Sequence, residues 1–259
     1  MITRVAGLLL LFLCTASGPV RALEIHSQHC PYGCPQGVSK ENDLIIRDIY
    51  LLSSNDRTKF ADWVAYTVSP DTIGHSGERQ WRKDPLLSAA ETLEPADYRG
   101  AFAALGTDRG HLVPRAAVGG TGLALQTDYM SNIAPQKSSL NQGPWEQLET
   151  AVRTLADSGL TLRVMAGTLY ESPQPSLPGA DEDHQIPSGF WKVVVMERNP
   201  VPVVNAFLMN QNAGRRDDFC SYRIPVSTLE KRSGLRFFHL FYGKSKNLPV
   251  DETATFLCH

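Results

Sequence analysis

The chain has 259 residues, enough to bury a sizeable core in one large domain. Its apolar and charged fractions, 42% and 20%, are those of an ordinary globular protein and exclude long disorder or low complexity. With 25 basic and 27 acidic side chains, it lacks the strong positive balance of a protein that grips nucleic acid tightly.

In chain order, the first segment is "MITRVAGLLLLFLCTASGPVRA", with Arg4, an apolar run from Val5 to Leu13, then small and polar residues. Val20 and Ala22 give the small-x-small pattern of a signal-peptidase site. The run is too short to span a bilayer. The segment is neither amphipathic nor Arg-rich, as a mitochondrial transit peptide would be. Residues 1–22 therefore read as an export signal, and 23–259 as one mature domain starting near Leu23, with no membrane anchor. Loss of Arg4 and Arg21 leaves 23 basic against 27 acidic side chains, a net of −4. A secreted or periplasmic location follows, and there cysteines oxidise.

Cys14 leaves with the signal, and Cys30, Cys34, Cys220 and Cys258 remain. Of the pairings open to them, near with near and far with far is expected: Cys30–Cys34 and Cys220–Cys258. The rival is a metal cluster of His26, His29, Cys30 and Cys34, whose spacing is loose for structural zinc.

"WVAYTV" (63–68) reads as a strand. "ERQWRKDP" (78–85) offers Arg79, Arg82 and Lys83, either as a phosphate clamp or as a solvated charged loop. "TDRGHLVPRAAVGG" (107–120) reads as a surface turn or a reactive corner. There His111 is the candidate base, because imidazole titrates near neutrality, and Gly110 beside it leaves room for a substrate backbone. "SNIAPQKSSLNQGPWEQLE" (131–149) runs into a helix expected over 141–159. Trp145, Leu148, Val152 and Leu155 fall on one stripe, Pro144 suits the first turn, and Gly159 suits the stop. Asn141 at its start is a modest oxygen ligand for a hydrated Mg²⁺, or an ordinary N-cap. Glu149 and Arg153 share a side, as active-site groups or as an i,i+4 surface pair.

"TLRVMAGTLY" (161–170), "WKVVVME" (191–197) and "VPVVNAFLMN" (201–210) read as strands, and residues 170–189 between them as a loop. "STLEKRSG" (227–234) reads as a helix with Ser227 and Glu230 as its capping box and Gly234 as its end. Strands and helices mix without a strict βαβ rhythm, so the class is α+β with mainly antiparallel pairing. There is no H-E-x-x-H and no G-x-S-x-G. "GKS" (243–245) has Phe238 where a P-loop needs glycine, and "GGTG" (119–122) lacks the third glycine of a dinucleotide fingerprint.

The segments "RQWRKDP", "DRGH", "SNIAPQKSSLNQGPWEQLE", "IPSGFWK" and "DFC", in this order, resemble the Serratia nuclease family of DNA/RNA non-specific endonucleases. The likeness runs from about Cys30 to Cys220 and more weakly to Cys258. It implies a ββα-metal (His–Me finger) fold with an antiparallel sheet flanked by helices. It also implies a phosphodiester hydrolase that cuts DNA and RNA to 5′-phosphorylated oligonucleotides with Mg²⁺, or with Mn²⁺ or another divalent ion. By the same resemblance, His111 would activate water and Asn141 would ligate the metal. Glu149 would act on the metal through a water, and Arg79 would bind the phosphate. Asn132 would support catalysis, while Asp108, Arg109 and Arg153 would contact substrate. The cysteine pairing expected above is that of the family's secreted branch, and a homodimer is compatible with it. Two stretches depart from the family pattern: 112–130 lacks a Trp near residue 122, and "ADEDH" (180–184) is acidic. A nucleic-acid binder without turnover and a narrower phosphodiesterase are the two alternative readings.

Overall fold

A computed structural model describes residues 25–198, 202–240 and 256–258. The expected export signal with its expected cleavage site and the "GKS" run lie outside the described residues.

Seven strands form one antiparallel sheet: β1 (Asp43–Ile46), β2 (Tyr50–Asn55), β3 (Phe60–Val68), β6 (Leu162–Leu169), β7 (Gly189–Met196), β8 (Val203–Asn210) and β9 (Arg223–Ile224), hydrogen-bonded in that order. A second, two-stranded sheet pairs β4 (Thr107–His111) with β5 (Ile133–Lys137). The short helix α1 (Ala101–Leu105) precedes β4. After β5 the chain runs through α2 (Ser138–Leu140) and a π-helical turn, Asn141–Trp145, into α3 (Glu146–Asp157). The last helix is α4 (Val226–Ser233).

The large sheet is buried on both faces, so its central strands are continuous apolar runs rather than alternating ones. Side-chain parity still sorts the residues. Val64, Tyr66, Phe190, Val194 and Phe207 face the core shared with β5, Trp145, Leu148 and Val152. Trp63, Ala65, Trp191, Val193 and Val195 face the opposite core under α4, with Phe237 and Phe238. The same parity turns Lys192, between Trp191 and Val193, toward α3.

The expected strands are present, with β3 beginning three residues before residue 63 and β8 at Val203. Five strands were not anticipated. β1, β2, β5 and the two-residue β9 are short or interrupted by polar residues, and β4 carries the "DRGH" run itself, which is a strand and not a turn. Residues 170–188 contain no strand or helix, as expected of a loop. The helix expected from residue 141 is regular only from Glu146, because Gly143 (φ −124°, ψ −120°) breaks the path. Pro144 therefore sits in the kink and not in the first regular turn. Trp145, Leu148 and Val152 are buried as the stripe requires; Leu155 is only half-buried, and Ala156 takes the inner place. The capping box does not form: α4 starts at Val226 after Pro225. Glu230 Oε1 instead accepts from the Phe237 N–H (2.8 Å). Gly234 ends the helix as expected.

Both expected disulfides are present, Cys30–Cys34 and Cys220–Cys258, with Cα atoms 5.1 and 5.7 Å apart. No thiolate is left for the rival metal cluster. His29 is committed as well, with Nδ1 3.0 Å from Thr67 Oγ1 and Nε2 3.0 Å from the Asp48 carbonyl. Among the described residues no helix is long and apolar enough to cross a membrane.

Gly110 is glycine for an internal reason, not to admit substrate. It is buried in the ladder opposite Ala134, and a Cβ there would overlap the fully buried side chain of Gln136. Gly110→Ala is expected to cost about 1–3 kcal/mol by overpacking. Urea unfolding reads this directly; an unchanged midpoint would show that Gln136 yields freely.

Candidate active site

An open cleft of about 1060 Å³ runs along β4 and the start of α3. Most of the site residues expected from the sequence line it: Arg79, Asp108, Arg109, His111, Asn141, Glu149 and Arg153. The ββα arrangement explains the convergence. Pairing of β4 with β5 fixes Asp108 to His111, and β5 leads directly into the turn that carries Asn141 and into α3, which carries Glu149 and Arg153.

His111 Nε2 lies 3.2 Å from Asp128 Oδ1, with the imidazole only 11% exposed and the carboxylate fully buried. Trp81 packs on the ring at a centroid distance of 5.1 Å. Burial pushes the His111 pKa down, and the Asp128 hydrogen bond and charge oppose that only in part. The imidazole is therefore neutral at neutral pH. An ionised carboxylate at Nε2 assigns the proton to that nitrogen and leaves the Nδ1 lone pair as the base.

Asp128 also joins the segment around Arg79 to the base. Its Oδ2 accepts from the Gln80 N–H (2.7 Å) and from Arg115 Nη1. Arg115 Nη2 reaches the carbonyls of Ser76, Gly77 (3.2 Å) and Glu78 (2.9 Å). Burial alone would raise the Asp128 pKa, but the donors from His111, Gln80 and Arg115 outweigh it and hold the group at about 2.

Asp108 Oδ2 accepts from Asn141 Nδ2 (2.9 Å) and Gln142 Nε2 (2.7 Å), and Oδ1 from Ser138 Oγ (2.7 Å). The Asn141 amide is thereby oriented with its donor used and its Oδ1 left as an oxygen ligand. Glu149 Oε1 lies 3.0 Å from Lys192 Nζ, a fully buried ammonium whose pKa is lowered by burial against the pull of Glu149. Lys192 also stands 4.0 Å from the centroid of Trp145. Arg109 donates to the Pro95 carbonyl (3.0 Å) and lies over Trp81 and Tyr98, 5.5 Å from each ring centroid.

Several expectations need correction. Asn132 is not a cleft residue. It is fully buried, and its amide is spent on the backbone of Val113 (2.9 and 3.1 Å) and the carbonyl of Thr127 (2.9 Å), so it positions the chain on either side of Asp128 and His111. Asp108 lines the cleft, but its two oxygens are spent on Ser138, Asn141 and Gln142, so in this structure it holds the Asn141 turn. Lys83 pairs with Glu94 (3.1 Å) and Arg82 bonds Gln80, leaving Arg79 alone of that trio in the cleft. Glu149 pairs with Lys192 rather than with Arg153, which bonds Thr150 Oγ1 (2.8 Å).

Asp128, Arg115, Trp81 and Lys192 were missed. Asp128 lies in a run of short 3-10 turns with no periodicity to mark it. Lys192 did carry a signal, since a lysine inside an apolar strand demands a buried anion.

The lining holds four arginines (79, 109, 115, 153) and four carboxylates (Glu78, Asp108, Glu146, Glu149), so its formal charges cancel. A divalent cation would tip the balance toward a phosphate polyanion.

The sequence matches the DNA/RNA non-specific endonucleases over residues 25–242. It is 46% identical to "Nuclease" of Serratia marcescens over 212 residues, 80% of this chain and 79% of that protein. The chain belongs to the DNA/RNA non-specific endonuclease family. It is 30% identical to "Endonuclease G, mitochondrial" of Homo sapiens over 221 residues, 80% of this chain and 71% of that protein. A chain in the crystal structure of an EndoG/EndoGI complex superposes with a TM-score of 0.73 at 22% identity, covering 88% of this chain and 96% of the other. The fold is the ββα-metal nuclease fold, and the protein is an endonuclease acting on phosphodiester bonds.

Two consequences concern pH. Asp128 is ionised in the fold down to about 2 against 3.8 ordinarily, so its stabilisation is complete above pH 3.8 and is lost as pH falls toward 2. His111 favours its neutral form in the fold, so stability also falls as pH drops through 6.5. Asp128→Asn keeps an acceptor for His111 but turns an amide donor toward Gln80 N–H and Arg115. We expect kcat to fall by about a hundredfold from misplacement of the base. The acid limb of the pH–rate profile should move lower, because the group that raised the His111 pKa is gone. Full kcat with an unmoved limb would refute the pairing.

Proposed function

We propose that the protein is an exported, Mg²⁺-dependent, sugar-non-specific endonuclease that yields 5′-phosphorylated oligonucleotides. The observation that carries this reading is a neutral imidazole with a free Nδ1 in the same cleft as an oriented Asn141 carboxamide and three arginines not engaged by Asp128. His111 Nδ1 takes a proton from water. The hydroxide oxygen forms a new bond to phosphorus, the P–O3′ bond breaks, and the 3′ oxygen takes a proton from solvent. Arg79 binds the phosphate oxygens and meets their developing charge, with Arg109 and Arg153 holding flanking phosphates. Contacts to phosphate rather than base edges make the cutting indifferent to sequence.

Asn141 would hold the ion directly, and Glu149 would hold it through a water. The oxygen donor set fits Mg²⁺, which keeps most of its waters and needs few protein ligands. The three-carboxylate groups among the described residues, Asp43/Asp56/Glu91 and Asp97/Asp181/Glu182, do not line the cleft. When bound, the ion supplies Lewis-acid stabilisation of charge on the phosphate and leaving oxygen. The apolar leader and the two disulfides support export of a single domain beginning near Leu23.

Purified mature protein should cut plasmid DNA and RNA, and excess EDTA should stop it. His111→Ala and Asn141→Ala should each lower cleavage on the order of a hundredfold to ten-thousandfold with circular dichroism unchanged. Full activity in either variant removes the assignment, and retardation of DNA in a gel without cutting would favour a binding protein. N-terminal sequencing of exported protein should begin near Leu23; a retained leader would argue against export.

A further inference from the structure

Phe102 is 68% exposed, yet it stands in the wall of the active-site cleft. The other exposed large apolar side chains, Ile46, Leu86 and Leu125, do not line that cleft. Its place is set by the backbone on either side and by buried neighbours. Its helix α1 lies between Gly100 (φ 76°) and Gly106 (φ 63°), left-handed conformations that a side chain would disfavour. Ala101 beside it is buried, and the nearby Tyr98 hydroxyl donates to the Ile133 carbonyl of β5 (3.1 Å).

The other aromatic rings of the cleft are in use. Trp81 packs against His111 and Arg109, and Tyr98 against Arg109. Among the described residues, Phe102 has no ring or cation partner. Its open face shares the cleft with Arg79, Arg109 and Arg153. A cationic groove that tracks the backbone, joined to an aromatic face on which a base stacks, is the combination that binds single strands without reading sequence. In a duplex the base faces are already stacked on one another, and only an unpaired base offers its face to a side chain.

We propose that Phe102 is a stacking platform for an unpaired nucleobase of the substrate, so that the cleft favours single-stranded over paired nucleic acid. This rests on the cleft being the phosphodiester-cleaving site. A wild-type protein that cuts no nucleic acid would overturn that reading, whereas the tests below compare variants of an active enzyme.

Steady-state cleavage of one single-stranded oligonucleotide and of its duplex tests the proposal. Phe102→Ala should raise KM for the single strand by about fivefold to a hundredfold, the range for loss of one base–aromatic stack, and raise it less for the duplex. The loss should fall in KM rather than kcat, and Phe102→Trp should restore it. Ile46→Ala, exposed but outside the cleft, should behave as wild type. A binding measurement adds a readout without turnover: anisotropy of labelled single strands with Mg²⁺ present and turnover blocked by His111→Ala, with one abasic residue moved along the chain. The His111→Ala protein should lose affinity when the abasic residue reaches one position, and adding Phe102→Ala should remove that dependence. Equal KM changes on both substrates, no change on either, or failure of Phe102→Trp to restore binding would each overturn the proposal.

Discussion

The site depends on one carboxylate that solvent does not reach. Asp128 accepts from His111 Nε2, from Arg115 and from the Gln80 backbone, so a single group ties the β4 strand to the segment that carries Arg79. A buried charge is tolerated only when it is fully hydrogen-bonded. Asp128 meets that condition with three donors from two separate parts of the chain, His111 and Arg115 from one and the Gln80 backbone from the other. His111 and the segment that carries Arg79 are therefore positioned by the same constraint. Asn132 acts beside it, stitching Val113 to Thr127 so that the strand after His111 and the turn before Asp128 stay in register.

A second buried charge sets the other wall. Strand parity sends Lys192 under α3, where it meets Glu149 at the face of the Trp145 ring. The pair fixes one carboxylate oxygen of Glu149 and leaves the other to the cleft. Asp108 performs the same kind of service for Asn141 by taking its amide donor. The working oxygens of the cleft are thus those not consumed by these anchors. With its lining charges formally balanced, the cleft would gain its preference for a polyanion from a bound cation, which suits an acidic protein that must also release its product.

The sequence by itself determined a good deal. Apolar runs located the central strands, the Trp145–Leu148–Val152 stripe located the buried face of α3, and an even set of cysteines gave the two disulfides. The family resemblance carried by "RQWRKDP", "DRGH" and "SNIAPQKSSLNQGPWEQLE" brought His111, Asn141, Glu149 and Arg79 into one hypothesis, where the residues read singly left each role open. Local signals failed where tertiary contacts overrode them. The "DRGH" run is a strand because β5 pairs with it, although its own residues favour a turn. Gly110 is glycine because Gln136 lies against it, and Glu230 leaves its capping box for the Phe237 amide.

What only the tertiary structure decided was which groups act and which hold. Asp108, Asn132 and Glu149 look alike on paper as polar residues near a motif. Folding consumes the first two and leaves the third half free. Asp128 carries no local mark, since its importance comes from three donors outside its own turn. Hydrogen-bond capacity is a property of each residue and can be read one letter at a time. The spending of that capacity on the protein itself, or its retention for a ligand, is settled only when segments far apart in the chain are brought within about 3 Å of each other.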